Sequence, residues 1–206
     1  MSRRKIGEVM RLSPVIPVLV LDGSFDPVEL AETLVGAGLR VLEVTLRTEN
    51  ALKDMEKMAS VEGAVVGAGT VLDAVMLYEA MDYGAEFIVS PGLTEGVARA
   101  AEDKRVPLLP GVATATDIMR GRDMGLDHFK FFPAEANGGL PALKSLAGPF
   151  GGIKFCPTGG IREDTAQEWL DHPNVLCVGG SWILPKGDAD LKKVAATARA
   201  AAAMKA

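Results

Sequence analysis

A single-domain (β/α)8 TIM barrel with an N-terminal helix is predicted by three features of the chain. Eight short apolar runs recur at a nearly constant interval, helical patterns with their own punctuation lie between them, and no linker or break in composition divides the 206 residues. Such a repeat argues for parallel strands joined by right-handed crossovers, and eight strands are the number that closes a barrel.

The runs begin near Val15, Val41, Ala64, Phe87, Leu108, Phe129, Ile153 and Val175, at separations of 26, 23, 23, 21, 21, 24 and 22 residues. After the first run, Asp26-Pro27 opens a helix and Gly36 to Gly38 closes it. After the third, Asp73 opens another that ends near Gly84, and Pro141 stands where a helix beginning after the sixth run would have its first residue. Met55, Met58, Met76 and Met81 fall at helical spacings and are expected to pack in the core. An open doubly wound sheet is the competing architecture, but no G-x-G-x-x-G opens a helix after the first run.

Composition narrows the function. At 48% hydrophobic and 24% charged the chain suits one globular domain, and a net charge of -5 gives no general attraction for nucleic acid or a membrane surface. The early apolar run from Val15 to Leu21 is too short to span a bilayer and ends at Asp22 without a cleavage signal, so a cytoplasmic protein is expected. Cys156 and Cys177 lie in apolar runs and read as reduced core thiols. With His128 and His172 they complete no metal-ligand spacing, and no metal is expected.

In a barrel the chemistry sits at the carboxyl ends of the strands. Phe129-Lys130-Phe131-Phe132-Pro133 sets a lysine in an apolar strand with no carboxylate beside it in sequence. An ammonium buried there is costly, and losing its proton makes it a nucleophile suited to a Schiff base with a ketone. The alternative is that Lys130 snorkels to water. Alternation puts His128, Lys130 and Phe132 on one face, Phe129 and Phe131 on the other, so Lys130 points inward and His128 at the strand's start reads as structural.

In the second run the same alternation groups Glu43, Thr45 and Arg47 against Leu42, Val44 and Leu46. Glu43 and Arg47 then point into the barrel or its mouth, either as a structural ion pair or with Glu43 moving protons and Arg47 gripping a carboxylate. Glu43 and Lys130 would lie across the barrel from one another. Thr158-Gly159-Gly160 and Gly179-Gly180-Ser181 are glycine-rich turns after the last two strands, where barrels commonly hold phosphate; a mere need for positive φ is the alternative for either alone, and the two together on adjacent strands favour an anion site. Gly67-Ala68-Gly69-Thr70 and Ser90-Pro91-Gly92 end the third and fourth strands with small residues that would leave room for a substrate.

Six motifs in one order carry a resemblance: VLEVTLRTE (Val41 to Glu49), VGAGTVL (Val66 to Leu72), SPGLT (Ser90 to Thr94), FKFFPAEANGG (Phe129 to Gly139), FCPTGGI (Phe155 to Ile161) and CVGGSW (Cys177 to Trp182). From Val15 to about Pro185 the chain resembles the 2-keto-3-deoxy-6-phosphogluconate (KDPG) and 4-hydroxy-2-oxoglutarate (KHG) aldolase family, class I aldolases of the Entner-Doudoroff pathway. The resemblance implies that Lys130 forms the Schiff base and that Glu43 is the general acid/base. It further implies that Arg47, Thr70 and Thr158 hold the carboxylate end, that Pro91 and Phe132 wall the pyruvyl group, and that Gly159, Gly160, Gly180 and Ser181 bind the phosphate. A phosphorylated 2-keto acid substrate, no metal or other cofactor, and a homotrimer are implied with them. A non-catalytic phosphosugar-binding barrel and an isomerase working by acid/base chemistry alone are the rival functions, and 4-hydroxy-2-oxoglutarate and the galactose-derived phosphosugar are rival substrates.

Overall fold

The structure, a computed structural model, describes residues 4–184 and 190–205. Pro185, where the resemblance ends, lies outside the described residues.

A short helix α1 (Ile6–Met10) precedes β1 (Val15–Leu19), and then strand and helix alternate. In order these are α2 (Pro27–Gly36), β2 (Val41–Thr45), α3 (Ala51–Ala59), β3 (Val65–Gly69), α4 (Ala74–Asp82), β4 (Phe87–Ser90), α5 (Glu95–Lys104), β5 (Leu108–Val112) and α6 (Ala115–Asp123). The second part runs through β6 (His128–Phe131), α7 (Gly139–Ala147), β7 (Lys154–Pro157), α8 (Ala166–Leu170), β8 (Val178–Gly180) and α9 (Leu191–Ala202). From β1 to β7 each strand pairs in parallel with the next, and β1 also pairs with β8, in the register Val15 to Val178 and Pro17 to Gly180. The circle closes between β7 and β8 through single pairings, Phe155 with Val175 and Thr158 with Gly179. Eight parallel strands thus form a nearly closed barrel inside a ring of helices, as the spacing predicts.

Local chemistry sets the boundaries. The Asp26 carboxylate accepts the amides of Val28 and Glu29 at 2.9 and 3.1 Å, and Asp73 accepts that of Met76 at 2.9 Å, giving otherwise unpaired amides of the first helical turn an acceptor. Two element starts differ from expectation. Helix α7 begins at Gly139, two residues before Pro141, because Gly138 and Gly139 adopt φ of 97° and 65° and turn the chain early. Pro141 is accommodated because amides in the first turn have no helical acceptor to lose. The last strand begins at Val178 rather than Val175, since Val175 and Leu176 follow β7 alone and β1 engages only where the Val178 amide reaches the Pro14 carbonyl.

The strands divide their side chains between two cores. Outward residues such as Leu42, Val44, Phe129, Phe131 and Phe155 pack under the helices with Met55 and Met58, while Met76 and Met81 pack against the same core partly buried. Inward residues Ile16, Val41, Val65, Phe87, Val89, Leu109, Cys156 and Cys177 fill the barrel's lower interior, joined by Val9 and Met10 of α1, which seal its amino-terminal end. His128 belongs to this end: a Cβ on Gly7 of α1 would lie 2.5 Å from its Nε2, and its Nδ1 lies 2.5 Å from Asp127. It is a contact of the sealed end, remote from the strands' carboxyl ends.

Candidate active site

Lys130 and Glu43 are the charged groups at the heart of the upper barrel. They are 5% and 3% exposed, and Lys130 Nζ donates to Glu43 Oε1 at 3.0 Å. Lys130 does not snorkel. The carboxylate it lacks in local sequence comes from a residue 87 positions away. A lone buried charge would be expensive, and the contact offsets that cost while holding an amine and a carboxylate within proton-transfer distance. The Phe132 ring centroid lies 5.3 Å from the same Nζ. Cys156, the register partner of Lys130 on β7, and Cys177 are both free and buried. Burial pushes the Cys177 thiol well above its ordinary range, helped by the neighbouring Cys156 thiol and the Glu43 charge, so it is held neutral.

Glycines shape the mouth. A Cβ at Gly69 would fall 2.4 Å from Glu43 Oε1, and one at Gly67 would fall 2.5 Å from the Phe87 ring. Glu43 and Phe87 thus take the places that side chains at these two positions would fill. Gly111, register partner of Lys130, would carry its Cβ 2.1 Å from the Pro91 carbonyl oxygen, so its bareness lets the turn after β4 dip toward the lysine. Ser90 holds that turn by donating to the Gly92 carbonyl at 2.7 Å.

Arg47 lies beyond the end of β2, not within it. The strand stops at Thr45, whose buried hydroxyl donates to the Leu19 carbonyl at 2.8 Å, and the Arg47 amide turns back onto the Thr45 carbonyl at 2.8 Å. Its exposed guanidinium still meets an expected partner, with Nε donating to Thr70 Oγ1 at 3.2 Å. Thr70 follows Gly69 at the end of β3 with φ of 63°, left-handed backbone that a β-branched residue rarely adopts. Lys130, Glu43, Gly69, Thr70 and Arg47 therefore form a chain of neighbours from the buried pair to the rim.

On the other side, the Thr158 amide donates to the Phe131 carbonyl at 3.0 Å, and the Thr158 side chain sits in the space a Cβ on Gly179 would take. Gly159 and Gly160 make the turn after β7 with φ of 103° and 81°, folded against Phe132, Pro133 and Glu135. Gly179 and Gly180 belong to β8 rather than to a turn. They are bare because Thr158 and the Trp182 ring occupy their Cβ positions, and Ser181 follows exposed at the rim. Sequence reasoning did not single out Gly69 or Gly111 as shaping residues, nor Ser90, Thr45, Glu135 or Trp182 individually. Small residues at strand ends were their signal, but a missing side chain does not say what fills its place. Glu135 accepts the Trp169 indole N–H at 3.2 Å from a loop with no periodicity to read.

Residues 6–197 match the KDPG and KHG aldolase family. The 2-dehydro-3-deoxy-phosphogluconate aldolase of Zymomonas mobilis is 55% identical over 98% of this chain and 97% of its own. A crystal structure of the Zymomonas mobilis ZM4 2-keto-3-deoxy-6-phosphogluconate aldolase with 3-phosphoglycerate superposes with a TM-score of 0.96, covering 98% of this chain and 97% of that one at 55% identity. The KDPG aldolase of Legionella pneumophila, with pyruvate captured as a covalent carbinolamine intermediate, superposes at 0.94 with 42% identity, covering 97% of this chain and 99% of that one. With a barrel that carries a buried lysine-carboxylate contact at its carboxyl end and matches over nearly its whole length, the chain belongs to the KDPG and KHG aldolase family.

Proposed function

We propose that this chain is a class I aldolase that cleaves 2-dehydro-3-deoxy-6-phosphogluconate to pyruvate and glyceraldehyde 3-phosphate. The contact between Lys130 Nζ and Glu43 Oε1 at 3.0 Å, with both residues buried, carries the reading, because an amine beside a carboxylate is the pair that imine formation and proton transfer need. The names of the 55% identical relative and the pyruvate carbinolamine of the Legionella protein support it.

In this mechanism Lys130 attacks the C2 carbonyl, and the carbinolamine loses water to give a protonated imine. Glu43 accepts the C4 hydroxyl proton as the C3–C4 bond breaks; its electrons pass into the imine to form an enamine, and glyceraldehyde 3-phosphate departs. Return of the proton to C3 and addition of water then release pyruvate and restore Lys130. Arg47 with Thr70 and Thr158 would hold the carboxylate, with Pro91 and Phe132 beside the pyruvyl methyl. The Gly159, Gly160 and Gly180 amides and Ser181 would hold the phosphate, so that binding at both ends orients the reacting carbon. The 3-phosphoglycerate in the Zymomonas structure supports a phosphorylated small-molecule substrate. A cytoplasmic homotrimer completes the reading, and sedimentation tests the trimer.

Intact mass after incubation with pyruvate and sodium borohydride, followed by peptide mapping, tests the mechanism. One reduced pyruvyl adduct on Lys130 is expected, and its absence in folded protein would overturn the mechanism. The matched family is named for KHG as well as KDPG, which favours 4-hydroxy-2-oxoglutarate as a second substrate. Comparing kcat/KM for the two, and for the C4 epimer, ranks them.

A further inference from the structure

Strand β3 offers two glycines to the barrel interior, and different side chains fill their places. At Gly67 a Cβ would stand 2.5 Å from each of three carbons of the Phe87 ring, which is a packing relationship. At Gly69 it would stand 2.4, 2.7 and 2.9 Å from Oε1, Cγ and Cδ of Glu43, and these are its three nearest heavy atoms outside the adjoining residues. Neither glycine has positive φ, so the backbone would accept alanine at both sites. The strand cannot easily yield at Gly69, because it pairs with Thr45 and its carbonyl accepts the Leu46 amide at 2.9 Å. What would yield is the Glu43 side chain, the same group that reaches Lys130 at 3.0 Å.

From this we infer that Gly69 is a positioning residue: its missing side chain seats the Glu43 carboxylate where it can move protons for the Lys130-bound intermediate. The inference rests on the aldolase reading above. A methyl at position 69 keeps Glu43 and Lys130 in the protein but pushes the carboxylate out of line by roughly an ångström, a displacement that can cost about 100-fold in a proton-transfer step. Imine formation, which depends chiefly on the amine, should suffer less.

Two readouts with pyruvate separate these steps. Borohydride trapping reports the imine. Loss of the methyl proton signal in D2O reports proton transfer, as a C3 proton of the imine passes to Glu43 and a deuteron returns to the enamine. Gly69→Ala should lower exchange by about 100-fold while trapping stays within roughly tenfold of the wild type. Gly67→Ala, with a comparable clash in the same strand, should lower the melting temperature but keep the wild-type ratio of exchange to trapping. The decisive comparison removes the colliding arm. In a Glu43→Ala background all three atoms that the methyl would strike are gone, so Glu43→Ala/Gly69→Ala should melt at the same temperature as Glu43→Ala alone, even if Gly69→Ala by itself does not fold. Equal losses of exchange and trapping in Gly69→Ala would overturn the inference, as would the same skewed ratio in Gly67→Ala or a lower melting temperature in the double variant than in Glu43→Ala. Failure of the wild type to trap pyruvate would instead remove the aldolase reading itself.

Discussion

Lys130 Nζ and Glu43 Oε1 meet at 3.0 Å inside the barrel, though β6 carries one and β2 the other. Each residue makes the other's burial tolerable. Lys130→Met should therefore abolish turnover and also destabilise the fold by about 3–5 kcal/mol, by leaving a buried carboxylate unpaired. Lys130→Met/Glu43→Gln should recover most of that stability while remaining inactive. Urea unfolding of the two variants checks this, and equal stability of both would mean that the pair carries no mutual dependence.

Thr70 holds a left-handed backbone, φ 63°, while its hydroxyl accepts from Arg47 Nε. Such a conformation costs a residue with a Cβ about 1–2 kcal/mol, against roughly 0.5–1 kcal/mol of extra chain entropy for glycine. Thr70→Gly should thus melt about 2 °C higher or unchanged, yet show a raised KM for the carboxylate-bearing substrate. Calorimetry with steady-state kinetics tests the two halves; a lower melting temperature would argue that the hydroxyl contact outweighs the strain.

Burial lowers the pKa of His172, and the charges of Lys144 and Lys154 lower it further. The folded chain then binds fewer protons here than the unfolded chain. This contribution to stability is complete above the unfolded value near 6.5 and fades as pH falls through the lowered folded value. The geometry agrees, since Nδ1 accepts the Asn174 amide at 3.2 Å and can do so only when that nitrogen is unprotonated. His172→Gln should flatten the melting temperature between pH 7 and 5 relative to the wild type. An unchanged slope would assign the acid sensitivity to other groups.

Cys156 and Cys177 are 2% and 0% exposed, and burial keeps the Cys177 thiol protonated. Iodoacetamide at pH 8 should leave Cys177 unmodified in the native state and alkylate it at a rate that follows unfolding. Rapid native labelling, read by mass spectrometry, would show that the barrel floor opens.

The barrel was legible because parallel strands buried on both faces read as unbroken apolar runs, and because Asp26 and Asp73 mark helix starts with side-chain acceptors. Period two also turned Lys130 and Glu43 inward. It failed at Arg47, where the chain leaves the strand after Thr45 and alternation no longer applies. The glycines were harder. Gly69 and Gly180 are bare because a glutamate and a tryptophan from other parts of the chain or loop lie against them, and a one-dimensional reading cannot see which neighbour fills a gap. Pro141 misled for a local reason, the two left-handed glycines ahead of it.

Helix α1 makes this barrel a vessel with a floor. Val9 and Met10 stand below the inward strand residues, so reactants meeting Lys130 must come and go by the rim. In the proposed cleavage, the fragment tethered to the lysine lies deepest and the phosphorylated aldehyde lies above it. The aldehyde leaves first because pyruvate is still tethered to Lys130, and the corking of one end sends both out by the rim.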